Sequence, residues 1–427
     1  MRQNIQIKSV PDKVLEATCQ ALRAWEKGCA LQDLTYPAEH REIVTNLVFT
    51  IFRHKAVVDW TISQFSRRPK IDRRLRHILE VGVTQILYMD GIAPATVTDT
   101  CVRFTTKRGG RKRAGFVNAV LRNLIRTGRT DWLATVAQKA PPATRLDLAP
   151  ALYKQWQRHL PPEKLATVAS VLNEPAPVIV RRRTASRANR QVEEPDCLVP
   201  IEAPDWMPEA QLFICRDPHA FIRSEAFRSG NYYIQDPATL LAPAMLAPKP
   251  KETLADLCAA PGGKTLILDE IAPDDGILIA GDRSPSRLAK LSDNIGPDSH
   301  IIPVAGDAAM PYCRAASFDA ILLDVPCSNT GVIRRRPDAM WRFSSRQLQE
   351  LVALQARILD GATTLLKPGG RIAYSTCSIE PEENSEQVRR FCRRHHPRFE
   401  IANERLLIPD KTHDGAYSAL IKLTEKR

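Results

Sequence analysis

From about Phe227 onward the chain repeats one unit: a short apolar run ending in a small or acidic residue, then a stretch with helical spacing. The runs are "TLADLCA", "GILIAGD", "HIIPVAGD", "FDAILLDVP" and "GRIAYSTCS". Patterns such as "SPSRLAKLSDNI" and "RQLQELVALQARILDGATTLL" stand between them. Near-continuous apolar strands alternating with helices predict a parallel sheet covered on both faces. Such sheets bind ligands beyond the carboxyl ends of their strands, where the strand order diverges. The residues that end each run are therefore the candidates for chemistry.

The first run leads into "DLCAAPGGKT", Asp256 to Thr265. Gly262 and Gly263 let the backbone approach a ligand closely, and the helix that follows offers free N–H groups at its N-terminus. A nucleotide triphosphate loop is the rival, because "GKT" is present and "AILLD" resembles the acidic strand that accompanies one. It fails on spacing, since G-x-x-x-x-G-K-[ST] needs glycine at position 258, which is Cys258. The second run ends at Asp282, roughly 20 residues past the glycines, where a carboxylate suits the two hydroxyls of a ribose. The third ends at Asp307, placed to accept from an adenine amino group. Each acid alone is weak evidence, because Asp commonly caps the next helix. Together they describe a nucleoside cofactor lying across the sheet edge, and the absence of G-x-G-x-x-G counts against NAD.

The fourth run ends in "DVPCSNTG", Asp324 to Gly331, and the fifth in "YSTCS". If the two strands are neighbours they lie about 4.8 Å apart, and Cys327 and Cys377 emerge on one edge. A thiol beside a nucleoside cofactor has a use when the substrate is a pyrimidine. A thiolate adding to carbon 6 of cytosine pushes electron density onto carbon 5, which can then attack an electrophilic methyl group. Asp324, protonated or sharing a proton with the base, could hydrogen-bond the ring and draw density through the addition. Chemistry alone does not choose between the two thiols.

The remainder of the chain is basic and largely helical. Lys and Arg number 61 against 48 Asp and Glu, a net charge of +13, which points to a polyanionic partner. Residues 10 to 150 carry repeated 3.6-residue faces; in "GFVNAVLRNLIR", Phe116, Val117, Val120, Leu121, Leu124 and Ile125 form one stripe. Basic clusters interrupt them at "SRRPKIDRRLRH" and "KRGGRKR". The second, rich in glycine and just ahead of a helix, reads as a loop whose backbone and arginines meet phosphates. Beyond "NEPAP", residues 178 to 225 read as a small α+β unit, in which "VIVRRRTASR" is a strand followed by a basic loop. No segment approaches the ~18 apolar residues that span a bilayer, and the first residues lack the apolar centre of a signal peptide. The ten cysteines show no paired C-x-x-C spacing, so free thiols in a cytoplasmic protein and no metal are expected.

With these residues in place, the sequence resembles the RNA cytosine-5 methyltransferase family, which uses S-adenosyl-L-methionine. "DLCAAPGGKT", "DVPCSNTG" and "YSTCSIEPEEN" are three long matches in the expected order, and "IQDPATLL" fits the family's entry segment. "GFVNAVLRNLIR" and "LNEPAPVIVRRRT" resemble the NusB-like domain and the following segment of the bacterial branch that methylates 16S rRNA. The resemblance implies an α/β Rossmann-like class I methyltransferase domain with a mostly parallel seven-stranded sheet over residues 227–427. An all-α NusB-like RNA-binding domain over 1–150 would precede it, with linker helices and a small α+β RRM-like subdomain over 151–226. It further implies that Cys258, Ala259, Ala260, Pro261, Gly262, Gly263 and Lys264 surround the methionine part of the cofactor. Asp282 then takes the ribose, Asp307 the adenine, and Asp324 stands between cofactor and base. By the same pattern Cys377 is the nucleophile and Cys327 helps release the product. The implied substrate is 16S rRNA or an early small-subunit particle, methylated by a monomer at nucleotide 967 in standard rRNA numbering.

This chain departs from the family pattern at Val325, Asn329 and Arg336, and "HDGAYSALIKL" lacks the usual aromatic pair. The departures bear on substrate choice rather than on the chemistry. Two other classes of function are weighed against this reading. A non-catalytic RNA-binding factor would need neither the cofactor residues nor the thiols. An enzyme acting on tRNA or on an exocyclic amine is the second, and the amine reaction normally uses Asp/Asn-Pro-Pro-aromatic where this chain has "DVPC".

Overall fold

The computed structural model describes residues 12–66, 70–183, 193–273, 276–295, 299–310 and 312–424. Residues 67–69 of the first basic cluster and 184–187 of the basic loop lie outside this set. The chain forms two compact units. One holds Met1–Glu174 with Ile333–Phe343, and the other holds Pro175–Val332 with Ser344–Arg427.

The first unit is helical: α1 (Asp12–Glu26), α2 (Arg41–Arg53), α3 (Lys55–Ser66), α4 (Arg73–Tyr88), α5 (Pro94–Gly109), α6 (Arg111–Thr127) and α7 (Arg129–Lys139). Three shorter helices follow, α8 (Pro142–Arg145), α9 (Pro150–Trp156) and α10 (Pro162–Leu172), each opened by proline, whose missing N–H costs nothing in a first turn. The stripe of α6 is buried at Val117, Val120, Leu121 and Leu124, with Phe116 and Ile125 at its margin. The α4 helix starts where the Asp72 carboxylate accepts from the N–H groups of Arg74 and Leu75. "KRGGRKR" is not the loop that the sequence suggested. Helix α5 continues through Gly109 and α6 begins at Arg111, so Gly110 alone joins them, at φ 79°. Lys and Arg are good helix formers, and a single left-handed glycine is enough to turn the chain.

In the second unit β1 (Ile179–Arg182), β2 (Leu198–Ile201), β3 (Leu212–Cys215) and β4 (Tyr232–Ile234) form an antiparallel sheet of order β2-β3-β1-β4. Between β3 and β4 run α11 (Pro218–Arg223) and α12 (Glu225–Arg228), and Phe221 is fully buried against Phe213 and Tyr232. These strands and helices make a small α+β layout, in which β4 lies past residue 226. It is fastened to the larger sheet by Arg181 and Arg183, both ion-paired to the buried Glu270.

After α13 (Leu241–Leu246) come β5 (Thr253–Asp256), α14 (Gly263–Ile271), β6 (Ile277–Asp282), α15 (Pro285–Asn294), β7 (Ile301–Ala305) and β8 (Phe318–Asp324). The chain continues through α16 (Pro337–Arg342), α17 (Ser345–Thr363), β9 (Leu366–Thr376), α18 (Ser385–Arg394), β10 (Phe399–Leu407) and β11 (Ala416–Leu423). The seven-stranded order is β10-β11-β9-β8-β5-β6-β7, parallel from β9 to β7 and antiparallel at β10 and β11. The order reverses between β5 and β8, so the crevice beyond their carboxyl ends is the switch point of a doubly wound sheet.

One segment departs from its place in the linear order. Ile333–Phe343 packs within the helical unit, where Trp341 Nε1 donates to the Phe52 carbonyl at 2.7 Å. Asp338 accepts from the Leu31 N–H at 3.3 Å, and Arg342 donates to the Gly28 carbonyl at 3.1 Å.

Candidate active site

The loop from β5 to α14 is shaped by acids. Asp256, buried at the end of β5, accepts from the Cys258 N–H at 3.3 Å and from Thr265 Oγ1 at 2.7 Å. Burial pushes its carboxyl up to about 7, against the Thr265 hydrogen bond. Asp282, at the end of β6, accepts from the Ala260 N–H at 3.2 Å and from the Ser284 N–H at 2.8 Å, with Arg287 3.5 Å away. Its carboxylate therefore clasps the loop. Gly262 has φ 114°, and a Cβ there would collide with Leu291. Burial raises the Cys258 thiol well above its ordinary range, so it stays protonated.

Asp307 follows β7 half-buried, with one oxygen accepting from the Ala309 N–H at 3.0 Å. The Tyr312 ring lies over Gly306 and its hydroxyl reaches Gly281, so a side chain at either glycine would displace it. That hydroxyl is buried and has no hydrogen-bond partner among the described residues. An orphaned hydroxyl and two acids in succession fit S-adenosylmethionine, whose ribose hydroxyls and adenine amine the acids suit.

On the other side of β5, β8 and β9 are parallel neighbours with Asp324 opposite Ser375. Asp324 is ion-paired to the Lys264 ammonium at 2.7 Å. Burial works to lower the Lys264 value, but the Asp324 carboxylate more than offsets it and holds the ammonium above its ordinary range. No local pattern pairs Asp324 with a lysine 60 residues away. Cys327 and Cys377 Sγ lie 3.0 Å apart, and the Cys377 N–H points at Cys327 Sγ from 3.3 Å. The Cys377 contact, then burial, push the Cys327 thiol well above its ordinary range. Cys377 is the more accessible of the two.

Asn329, at φ 62°, completes the cluster. Its Oδ1 accepts from the Cys377 thiol at 3.2 Å and its Nδ2 donates to the Cys327 carbonyl at 2.9 Å. Behind it, Glu383 accepts from the Ser328 N–H at 2.9 Å, Ser328 Oγ at 2.5 Å and Gln355 Nε2 at 2.9 Å. Burial pushes Glu383 up, while these donors pull it down. Ser378 Oγ bridges Ser328 Oγ and Thr330 Oγ1, each at 3.1 Å. This buried network locks the loop after β8 to the loop after β9, and so fixes the distance between the sulfurs. Asp256, Glu383 and Gln355 received no role from the sequence. "SIEPEEN" drew attention to Glu383 as part of a match, but its partners come from elements 28 and 55 residues away.

The model of the family "16S rRNA methyltransferase RsmB/F" matches residues 243–419, and that of the NusB family matches residues 4–126. Ribosomal RNA small subunit methyltransferase B of Cronobacter sakazakii is 31% identical over 92% of this chain and 91% of its own length. The chain belongs to this family. S-adenosylmethionine is accordingly its cofactor, and RNA methylation its class of reaction. When bound, this cofactor supplies an electrophilic methyl group. The solved structure of PH0851 has the same fold over 98% of this chain and 99% of its own, with TM-score 0.75 and 24% identity. NSun6 from Pyrococcus horikoshii, solved with SFG, covers 65% of this chain and 99% of its own, with TM-score 0.55 and 18% identity. Among the described residues no helix is long and apolar enough to cross a membrane, and no cluster of His, Cys, Asp and Glu is placed to hold a metal ion.

Proposed function

We propose that the protein methylates carbon 5 of a cytosine in 16S rRNA, at nucleotide 967 in standard rRNA numbering, as a cytoplasmic monomer. The observation that carries this reading is the pair of sulfurs 3.0 Å apart beside the Asp324–Lys264 ion pair, at the switch point of the sheet. The base leaves its stack to reach that crevice, at a cost of a few kcal/mol. Cys377 Sγ, as thiolate, bonds to carbon 6, and the electron pair of the carbon 5–carbon 6 double bond becomes available at carbon 5. Asp324, with Lys264 on one oxygen, shares a proton with the ring edge through the other and so draws off the density that the addition places on the ring. Carbon 5 takes up the methyl group that the cofactor would supply, the pair of the broken sulfur–methyl bond staying on the cofactor's sulfur. Loss of the carbon 5 proton to solvent water then restores the double bond, and the sulfur–carbon 6 pair leaves on Cys377 as thiolate. Cys327, held as a thiol, takes part in this release. Cys258 to Lys264 hold the methionine part of the cofactor, and Asp282 and Asp307 its nucleoside.

Cys377→Ala abolishes methyl transfer while cofactor binding by titration calorimetry stays within about two-fold, as for a group acting only in the covalent step. Full turnover in that variant would remove Cys377 from the mechanism. Cys327→Ala accumulates a covalent RNA adduct that survives a denaturing gel; normal turnover without an adduct would make Cys327 structural. Bisulfite sequencing of rRNA from cells with and without the protein tests the nucleotide. A signal in tRNA alone would move the substrate.

A further inference from the structure

Cys327 and Cys377 serve the proposed reaction as separate groups, one bonding to the base and one assisting release, yet the fold sets them sulfur against sulfur. Their Sγ atoms lie 3.0 Å apart, with no room for an atom between them, and the Cys377 N–H is aimed at Cys327 Sγ from 3.3 Å. The strands that lead to them, β8 and β9, are parallel neighbours with Asp324 opposite Ser375, and the thiols follow three and two residues later. Neighbouring strands stand about 4.8 Å apart, inside the Cα separation that a disulfide spans. A disulfide closes at about 2.05 Å, so an approach of about 1 Å is all that bond formation asks. The chain beside each sulfur is already fastened: Glu383 accepts from the Ser328 N–H at 2.9 Å, and Ser378 Oγ meets Ser328 Oγ and Thr330 Oγ1 at 3.1 Å each.

The two thiols are not equivalent. Cys377 is half-buried and Cys327 buried, so a small oxidant from solvent meets Cys377 first and finds Cys327 directly behind it. A reachable thiol poised next to a second, sheltered one is the arrangement that captures a sulfenic acid as a disulfide before further oxidation destroys it. A reducing compartment keeps such a pair as thiols, and its disulfide is then a transient state.

We infer that the catalytic pair is also a thiol–disulfide switch, in which a peroxide joins Cys327 to Cys377 and silences methyl transfer until a thiol reductant reopens the bond. The Cys377 sulfur attacks one peroxide oxygen; the oxygen–oxygen bond breaks, the thiol proton leaves in a molecule of water, and Cys377 becomes a sulfenic acid. The Cys327 sulfur then attacks the Cys377 sulfur. The sulfur–sulfur bond forms, the sulfur–oxygen bond breaks, and the departing hydroxide takes the Cys327 proton to become water. The thiols together lose two electrons and the peroxide gains them. Reopening is thiol–disulfide exchange with the reductant. Formation of the bond stands on the geometry of the pair; its effect on turnover rests on the proposed role of Cys377.

The test treats the full-length protein with hydrogen peroxide, assays methyl transfer to a transcribed 16S rRNA fragment, and maps the cysteines by mass spectrometry of a non-reducing digest. The Cys327 and Cys377 peptides should be joined and turnover lost, with cofactor binding by titration calorimetry retained; dithiothreitol should separate the peptides and restore turnover. In Cys327→Ala, which lacks the second sulfur, the Cys377 peptide should instead take up two oxygen atoms as a sulfinic acid that dithiothreitol does not remove. Cys197 and Cys215 make another contact between thiols, across β2 and β3, so Cys197→Ser serves as the control and should be inactivated and recovered as the parent is. A parent in which Cys377 passes to the sulfinic acid with no link to Cys327 overturns the inference. Protection of turnover in Cys197→Ser does the same, because it places the sensitive thiols elsewhere. A linked pair with full turnover would bring down the nucleophile reading of Cys377, and the switch with it; an inactive Cys377→Ala alongside an unlinked parent would sink the switch alone.

Discussion

Asn329 shows how much one side chain can add at a position where the family pattern has Gly or Ala. Its φ of 62° is a conformation that only glycine and a few polar residues adopt readily, and its amide uses that placement to join the Cys377 thiol to the Cys327 backbone carbonyl. Asn329→Gly keeps the backbone unstrained and removes only the contacts. Cys377 should then react about five-fold faster with iodoacetamide, roughly the worth of one hydrogen bond, as counted by mass spectrometry of the modified peptide. An unchanged rate would mean that the amide has no hold on the thiol. The departure was legible in the sequence, but its consequence was not, because the contact spans 48 residues and depends on the register of β8 and β9.

At the scale of elements, the loop between β5 and α14 is held by carboxylates that accept from its backbone N–H groups and, for Asp256, from the Thr265 hydroxyl. Asp256 keeps its proton in the folded chain up to about 7, whereas the unfolded chain releases it near 3.8. The folded state thus binds more proton across that window, and the contribution of Asp256 to stability falls as pH rises from about 4 to about 7, then levels. Asp256→Asn does not titrate. The urea midpoint of the parent protein should therefore decline relative to this variant over that window and run parallel above it. A pH-independent difference would show that the carboxyl is ordinary. Strand ends and the glycine turn were readable from "DLCAAPGGKT" because period and residue type decide them locally. The "KRGGRKR" segment misled for the opposite reason: two adjacent glycines look like a loop, yet the helices on either side leave only Gly110 between them.

At the scale of the whole molecule, the chain leaves the larger unit directly after "DVPCSNTG" and spends residues 333–343 in the helical one. Trp341→Ala removes the bond to Phe52 and the indole packing, so amide exchange in α2 should accelerate by an amount equivalent to ~2 kcal/mol. Unchanged protection there would make the segment a passenger. The sequence alone determined the parallel sheet, its edge of acids, glycines and thiols, and the helical N-terminal part, because hydrophobic period and strand-end chemistry are local properties. Only tertiary structure decided the 3.0 Å approach of the sulfurs, the Lys264 partner of Asp324, the Glu383 network and the unit to which 333–343 belongs. Each of these joins residues far apart in the chain, and their distances follow from how strands register and side chains pack, which no local pattern encodes.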